Sequence, residues 1–219
     1  MSTTELFMQI CSMRLFICTN RSFTLKIPIT STNGFGISPR AFVASLRDRG
    51  LRVVEFRPVS LDQDRPFILD MFVMREYESA SDADRRPGLN KYREDWLSSP
   101  KAEAYLAAVE ASLDEPSTIA EIVAVNGTPA GFVWATMEGL PYEERYFELR
   151  LVALKLNFQR QGIGRVSTHH LEELAAERGA ASIHSTGNAA SEGIRRFHAS
   201  VGFQPIQTVY EKKLAARTQ

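Results

Sequence analysis

The sequence predicts an α/β domain built on a mixed, mostly antiparallel sheet flanked by helices. Three observations carry this. Two runs rich in Ile, Val, Phe and Trp, 118–125 and 128–137, flank Asn126-Gly127, and that dipeptide supplies the two positive φ angles of a tight hairpin turn. A long alternating run, Arg145 to Lys155, leads through a glycine-bearing turn into a helical pattern that stops at Gly179. Period-two and helical-period segments also follow one another along most of the chain, as in an α/β protein.

In order, residues 1–50 carry the weakest pattern. Phe23, Leu25, Ile27 and Ile29 alternate like a strand, residues 30–38 read as a Ser/Thr/Asn/Gly linker, and Ser38-Pro39 opens a short helix running to Arg49. This segment is a packed extension, a partner-binding arm or a loose tail. Leu51 to Pro58 is a strand, with β-branched Val53 and Val54 and a terminating Pro58. Asp62 to Tyr77 is a helix, residues 79–89 a polar loop, and Asn90 to Leu97 a helical turn with Tyr92 and Trp96. Ser99-Pro100 opens a helix through Leu113, with Ala102, Tyr105, Leu106 and Val109 on its apolar stripe.

Composition excludes several function classes. The 219 residues are 44% hydrophobic and 24% charged, enough for a sizeable core. Lys plus Arg equals Asp plus Glu, 26 against 26, which argues against a nucleic-acid or anionic-membrane binder. No run approaches the roughly 18 apolar residues of a membrane span, and the apolar N-terminus lacks a signal-peptide pattern. Cys11 and Cys18 have six residues between them, neither a metal knuckle nor a disulfide framework, so a reducing, cytoplasmic setting is expected. His169 and His170 are adjacent on a helix, diverge by about 100° and cannot share a metal face. No metal is expected.

The chemistry concentrates at Gln159-Arg160-Gln161-Gly162-Ile163-Gly164-Arg165, between a strand and a helix. A helix start presents unpaired N–H groups and a positive dipole end. Gly162 and Gly164 allow close backbone approach, and Arg160 and Arg165 add charge, so the turn suits a pyrophosphate. Spacing alone leaves a plain tight turn open. Ser167 stands where a dinucleotide fingerprint has its third glycine, and no Gly-Lys-Ser/Thr of a P-loop is present.

The order strand, helices, Asn-Gly hairpin, long strand, Gln-x-x-Gly-x-Gly, helix, strand and helix ending in Gly202-Phe203 resembles the GNAT family of N-acetyltransferases. The resemblance spans 51–219, leaving 1–50 as an N-terminal extension of unassigned role. It is strongest over 148–203, where FQRQGIGR is similar to the phosphate loop of the family's ribosomal-protein N-acetyltransferases.

The resemblance implies acetyl-CoA as co-substrate and a sheet with a central splay. Val152, Ala153 and Leu154 would pair with the pantetheine arm, beside a bulge that opens the sheet, and the Leu154 amide would face the oxyanion. Amides from Arg160 through Gln161, Gly162, Ile163 and Gly164 to Arg165, after Gln159, would hold the pyrophosphate. Where the family often has an asparagine and, seven residues on, a tyrosine acid, this chain has Ser191 and His198. Ser191 can cap the last helix and bond a coenzyme amide; His198 can protonate the leaving thiolate when charged. Glu148 would be the base, acting directly or through water, and strand alternation puts it on one face with Arg150, Val152 and Leu154.

His184 shares a strand face with Ser182 and Thr186 and is expected near the acceptor. Tyr92, Trp96, Tyr142 and Tyr146 are candidates for lining its cleft, and the polar face of 75–100 for its specificity. The expected activity is direct acetyl transfer to a primary amine of a small molecule, peptide or protein. The acceptor carries no motif of its own, and a homodimer stays open. The competing readings are a non-catalytic acyl-CoA-binding regulatory module and a protein-interaction domain.

Overall fold

The computed structural model describes residues 52–139, 144–187 and 192–207, and the backbone of 14–18 and 23–28. The helix expected at 39–49, the loop residues 140–143 with Tyr142, and Ser191 lie outside the described residues.

The Asn-Gly hairpin lies at the middle of the sheet. Strands β4 (Ile119–Val125) and β5 (Thr128–Glu138) pair antiparallel around Asn126 and Gly127, whose φ angles are 50° and 79°. Asn126 also ties the turn to β3 (Arg52–Pro58): its Oδ1 accepts from the Val53 amide at 2.8 Å, and its amide donates to the Val53 carbonyl at 2.8 Å. β6 (Tyr146–Leu154) pairs antiparallel with β5 and parallel with β7 (Ser182–Ser185). On the far side, β1 (Arg14–Cys18) pairs antiparallel with β3 and with β2 (Phe23–Pro28). The seven strands run β2-β1-β3-β4-β5-β6-β7, a mixed sheet with one parallel pair.

Helices cover both faces. α1 (Leu61–Ser79), α3 (Leu89–Leu97) and α4 (Pro100–Leu113) bury Ile68, Met71, Phe72, Trp96, Leu106 and Val109 against Ile122, Phe132, Trp134 and Leu151. α5 (Ile163–Glu177) buries Ile163, Val166, Leu171 and Leu174 against Val123, Val133, Ala135, Phe147 and Leu149 on the other face. Each large side chain taken out of water contributes roughly 1.5–3 kcal/mol, so these layers dominate stability. No described helix is long and apolar enough to cross a membrane. Two compact units divide after Thr186; α6 (Glu192–Ser200) belongs to the second.

The polar loop expected at 79–89 contains one helical turn, α2 (Asp82–Arg85). Ser81 caps it by accepting from the Asp84 amide at 3.2 Å, so local side-chain bonding forms a helical turn where no apolar pattern marks one.

At the start of α1, Asp64 binds Arg57 through two bonds of 2.5 and 2.7 Å and accepts from the Ser60 amide at 2.9 Å. Burial pushes the Asp64 carboxyl up, but the Arg57 and Ser60 hydrogen bonds and the Arg57 charge outweigh it and hold the group below its ordinary value. Its contribution is therefore present above the unfolded value of about 3.9 and disappears as pH falls through the lower folded value. Asp64→Asn is expected to lose about 1–3 kcal/mol at pH 7. Urea melts from pH 2 to 7 should show the two proteins converging in acid; a gap that stays constant would refute the assignment.

Candidate functional site

The site is built on β6, and its geometry turns on Arg150. Leu149 pairs with Ala135 and Leu151 with Trp134, so Arg150 is an extra residue, a β-bulge. The bulge reverses the alternation. Phe147 and Leu149 face α5, whereas Leu151 and Ala153 face the α1–α4 layer, and Val152 and Leu154 return to the α5 side. Glu148, opposite Thr136, is thus on the face of Leu151 and Ala153. This corrects the expected common face of Glu148 with Val152 and Leu154, since simple alternation fails across a bulge.

The bulge also marks where the sheet opens. Registered pairs between β6 and β7 run from Tyr146–Ser182 to Leu149–Ser185 and stop there. Beyond it, among the described residues, β6 keeps only β5 as a registered neighbour. Lys155 donates its amide to Ala130 on β5 at 2.8 Å. Successive strand amides point to opposite edges, so the Leu154 amide faces the opened edge. Ala153 and Leu154 lie so close to β5 that a Cβ on Gly131 would stand 2.5 Å from the Ala153 carbonyl oxygen and 2.4 Å from Leu154 Cδ2. Gly131→Ala is expected to cost about 1–3 kcal/mol by displacing this segment. Chemical denaturation checks this; unchanged stability would contradict the close approach.

The chain then enters a short 3-10 turn, Leu156–Phe158, and the predicted loop. Arg160 has φ 56° and Gly162 φ 80°, two left-handed residues in three. Such alternation turns backbone N–H groups into one concavity, which suits an anion. Gly162 is the N-cap of α5, and the Ile163 and Gly164 amides open the helix with no intrahelical acceptor. The Ile163 side chain is fully buried and anchors the helix, so only its amide can serve a ligand. Side chains brace the loop: Gln159 Nε2 donates to the Leu154 carbonyl at 3.0 Å and Gln161 Nε2 to the Asn157 carbonyl at 2.6 Å. Arg160 and Arg165 are exposed. Ser167 and Thr168, both buried, donate back to the carbonyls of Ile163 and Gly164.

Glu148 is half-buried and accepts from the Thr186 hydroxyl at 3.0 Å. Arg150, one candidate to neutralise it, instead binds Glu138 at 2.5 Å and donates to Thr136 Oγ1 at 2.9 Å. Glu148 makes no ion pair among the described residues. Tyr146 stacks on His184 with ring centres 3.9 Å apart. Thr136, Glu138 and Gly131 were not picked out from sequence; a glycine inside a strand was the one signal for close approach.

In the second unit, the Phe203 amide donates to the His198 carbonyl at 3.0 Å, and Gly202, with φ 86°, ends α6. The His198 ring lies 5.1 Å from Phe203. Burial pushes the His198 imidazole below its ordinary value, so it is neutral near pH 7.

Of the other aromatics, Trp96 is buried in the core and stacks on Tyr105, while Tyr92 contacts Tyr77 edge-on. A groove of about 660 Å³ runs along Glu76, Ser79, Asp84, Tyr92, Asp95 and Trp96, within the stretch expected to set specificity. Among the described residues, no group of three or more His, Cys, Asp or Glu side chains is placed to hold a metal.

Comparison with known proteins agrees with this architecture. The profile of the acetyltransferase (GNAT) family matches residues 84–203, just over half of the chain. No curated protein matches in sequence. Among solved structures, the chain is similar to an aminoglycoside N-acetyltransferase, AAC(6')-Iy, solved with CoA (13% identity, 74% of this chain and 94% of that one, TM-score 0.54). It is also similar to an aminoglycoside acetyltransferase from an uncultured soil metagenomic sample, solved with sisomicin (13% identity, 75% and 97%, TM-score 0.52). A transcriptional regulator from Bacillus halodurans C-125 shares 18% identity over 74% of this chain and 99% of that one, with a TM-score of 0.55. With the bulged strand, the opened sheet edge and the anion-suited loop in the order that the family profile spans, the chain belongs to the GNAT family of acetyltransferases.

Proposed function

We propose that the protein transfers an acetyl group from acetyl-CoA directly to a primary amine. The single observation that carries this is the bulge at Arg150, because it sets Glu148 and the Leu154 amide on one strand with different outlooks. Amides from Arg160 to Arg165 would hold the pyrophosphate, and the opened edge at Val152, Ala153 and Leu154 would take the pantetheine. The Leu154 amide would stabilise the oxyanion. Glu148 would accept a proton from the amine, directly or through water, since only an unprotonated amine attacks. The thiolate takes its proton from His198 or from solvent, and the lowered pKa of His198 favours solvent.

For the acceptor, the groove lined by the end of α1, α2, α3 and the start of α4 is the proposed approach. Its carboxylates are already engaged, Glu76 by the Tyr105 hydroxyl at 3.1 Å, Asp84 by the Ser81 hydroxyl at 2.6 Å and Asp95 by Lys91 at 2.7 Å. This favours an amine carried on a mixed polar scaffold, such as an aminoglycoside or a peptide, over a bare polycation. The test is thiol release from acetyl-CoA against kanamycin A, spermidine and lysine-bearing and N-terminal peptides. Turnover with one of them supports the reading. Coenzyme A binding without turnover of any amine would favour the regulatory reading, which the neutral His198 and the similarity to a transcriptional regulator keep open.

A further inference from the structure

N-acylation of an ammonium group strips two protons from one nitrogen. The first must leave before attack and the second after the C–N bond has formed. A single half-buried carboxylate can take only one, and would have to unload before taking the next. The face around Glu148 holds another base at the same level. Glu148 on β6 and His184 on β7 are registered partners, so their backbones lie about 5 Å apart and their side chains project from the same face. Tyr146 holds the imidazole by stacking at 3.9 Å and 23°, and Ser182 Oγ lies 3.3 Å from its Nε2. Thr186 fixes the neighbouring carboxylate. Two charged neighbours of Glu148, Arg150 and Glu138, are paired to each other.

We propose that His184 is the second proton acceptor of the reaction, working beside Glu148. This rests on the acetyltransferase reading and on Glu148 as first base. The ammonium gives one proton to the Glu148 carboxylate, and the freed lone pair forms the C–N bond while the carbonyl π pair moves to oxygen. The nitrogen, now cationic, gives its second proton to the His184 imidazole. The oxyanion re-forms the carbonyl, the C–S bond breaks, and the thiolate takes one proton from water. The two bases return theirs to solvent, so one proton is released per amide and thiol formed.

The test uses the full chain, acetyl-CoA and whichever amine of the panel turns over. His184→Phe keeps a ring to stack on Tyr146 but has no nitrogen, and His184→Ala opens space for added imidazole. Both variants should lose about tenfold in kcat at pH 7 with the KM for acetyl-CoA unchanged, and the kcat against pH profile should change shape. Imidazole should restore His184→Ala and leave Glu148→Gln unrestored. A His184→Phe protein with the wild-type rate and profile would overturn the proposal, because stacking alone would then explain the histidine. If His184→Phe is slow and Glu148→Gln is not, Glu148 is not the first base and the paired scheme falls with it. No turnover by wild type with intact coenzyme A binding removes the acetyltransferase reading itself.

Discussion

Replacing Glu148 by glutamine is expected to lower kcat/KM for the amine about 100-fold near pH 7. The reasoning is chemical first. An alkyl amine with a pKa near 10.4 is almost wholly protonated at pH 7, and its lone pair is then unavailable. In the proposed mechanism the Glu148 carboxylate would remove that proton as the nitrogen approaches. Glutamine has the same shape and keeps an oxygen to accept from Thr186, 3.0 Å away, so the fold should survive unchanged. The dissociation constant of coenzyme A should stay within about twofold, because the proposed coenzyme contacts lie beyond the bulge. The deficit should shrink as pH rises toward the amine pKa, since solvent then does the same deprotonation. Steady-state rates from pH 6 to 10, with calorimetry for binding, check all three. Full activity of the variant at pH 7 would remove Glu148 from the mechanism.

The second large effect concerns Gly162. Its φ of 80° is in the left-handed region, and it caps α5. A β-branched residue there is strained by about 1–2 kcal/mol. Gly162→Val should relax out of this conformation and swing the following amides away. Coenzyme A would then have to reimpose the strain, weakening its binding by about 10-fold or more. Gly88→Val is the control. Gly88 also has a left-handed φ, 91°, and a Cβ there meets nothing within 4 Å. It should lose a similar amount of stability with coenzyme A affinity unchanged. If both variants bind coenzyme A like wild type, the loop is only a turn.

These two residues also show what was readable beforehand and why. Gly162 was legible because a glycine between a strand and a helix has a local meaning: the chain must turn, and the turn leaves amides pointing outward. Asn126-Gly127 was legible for the same reason, and both residues take the positive φ angles that the dipeptide suggests. The side occupied by Glu148 was not legible. Phe147, Leu149 and Leu151 alternate without a break, as if on one face. Yet helices bury both faces of the sheet, so an apolar residue is welcome on either side and alternation loses its power to locate the bulge. The one hint is the unbroken run Leu151-Val152-Ala153-Leu154, which demands burial on both faces. The one-turn helix α2 was missed on different grounds, because its signal is a Ser81–Asp84 cap in an otherwise polar stretch.

Arg150 leaves β6 unusually asymmetric toward change. Its side chain is exposed and, among the described residues, bonds Thr136 and Glu138, so many substitutions there would disturb a surface ion pair worth under about 1 kcal/mol. Deleting the residue is another matter. Removing one residue closes the register and rotates one end of the strand by half a turn. Either Leu151 and Ala153 would leave one layer and Val152 and Leu154 the other, or Glu148 would be driven toward α5. The position is thus tolerant in spelling and intolerant in length, and gaps in relatives' alignments should avoid it even where its identity drifts.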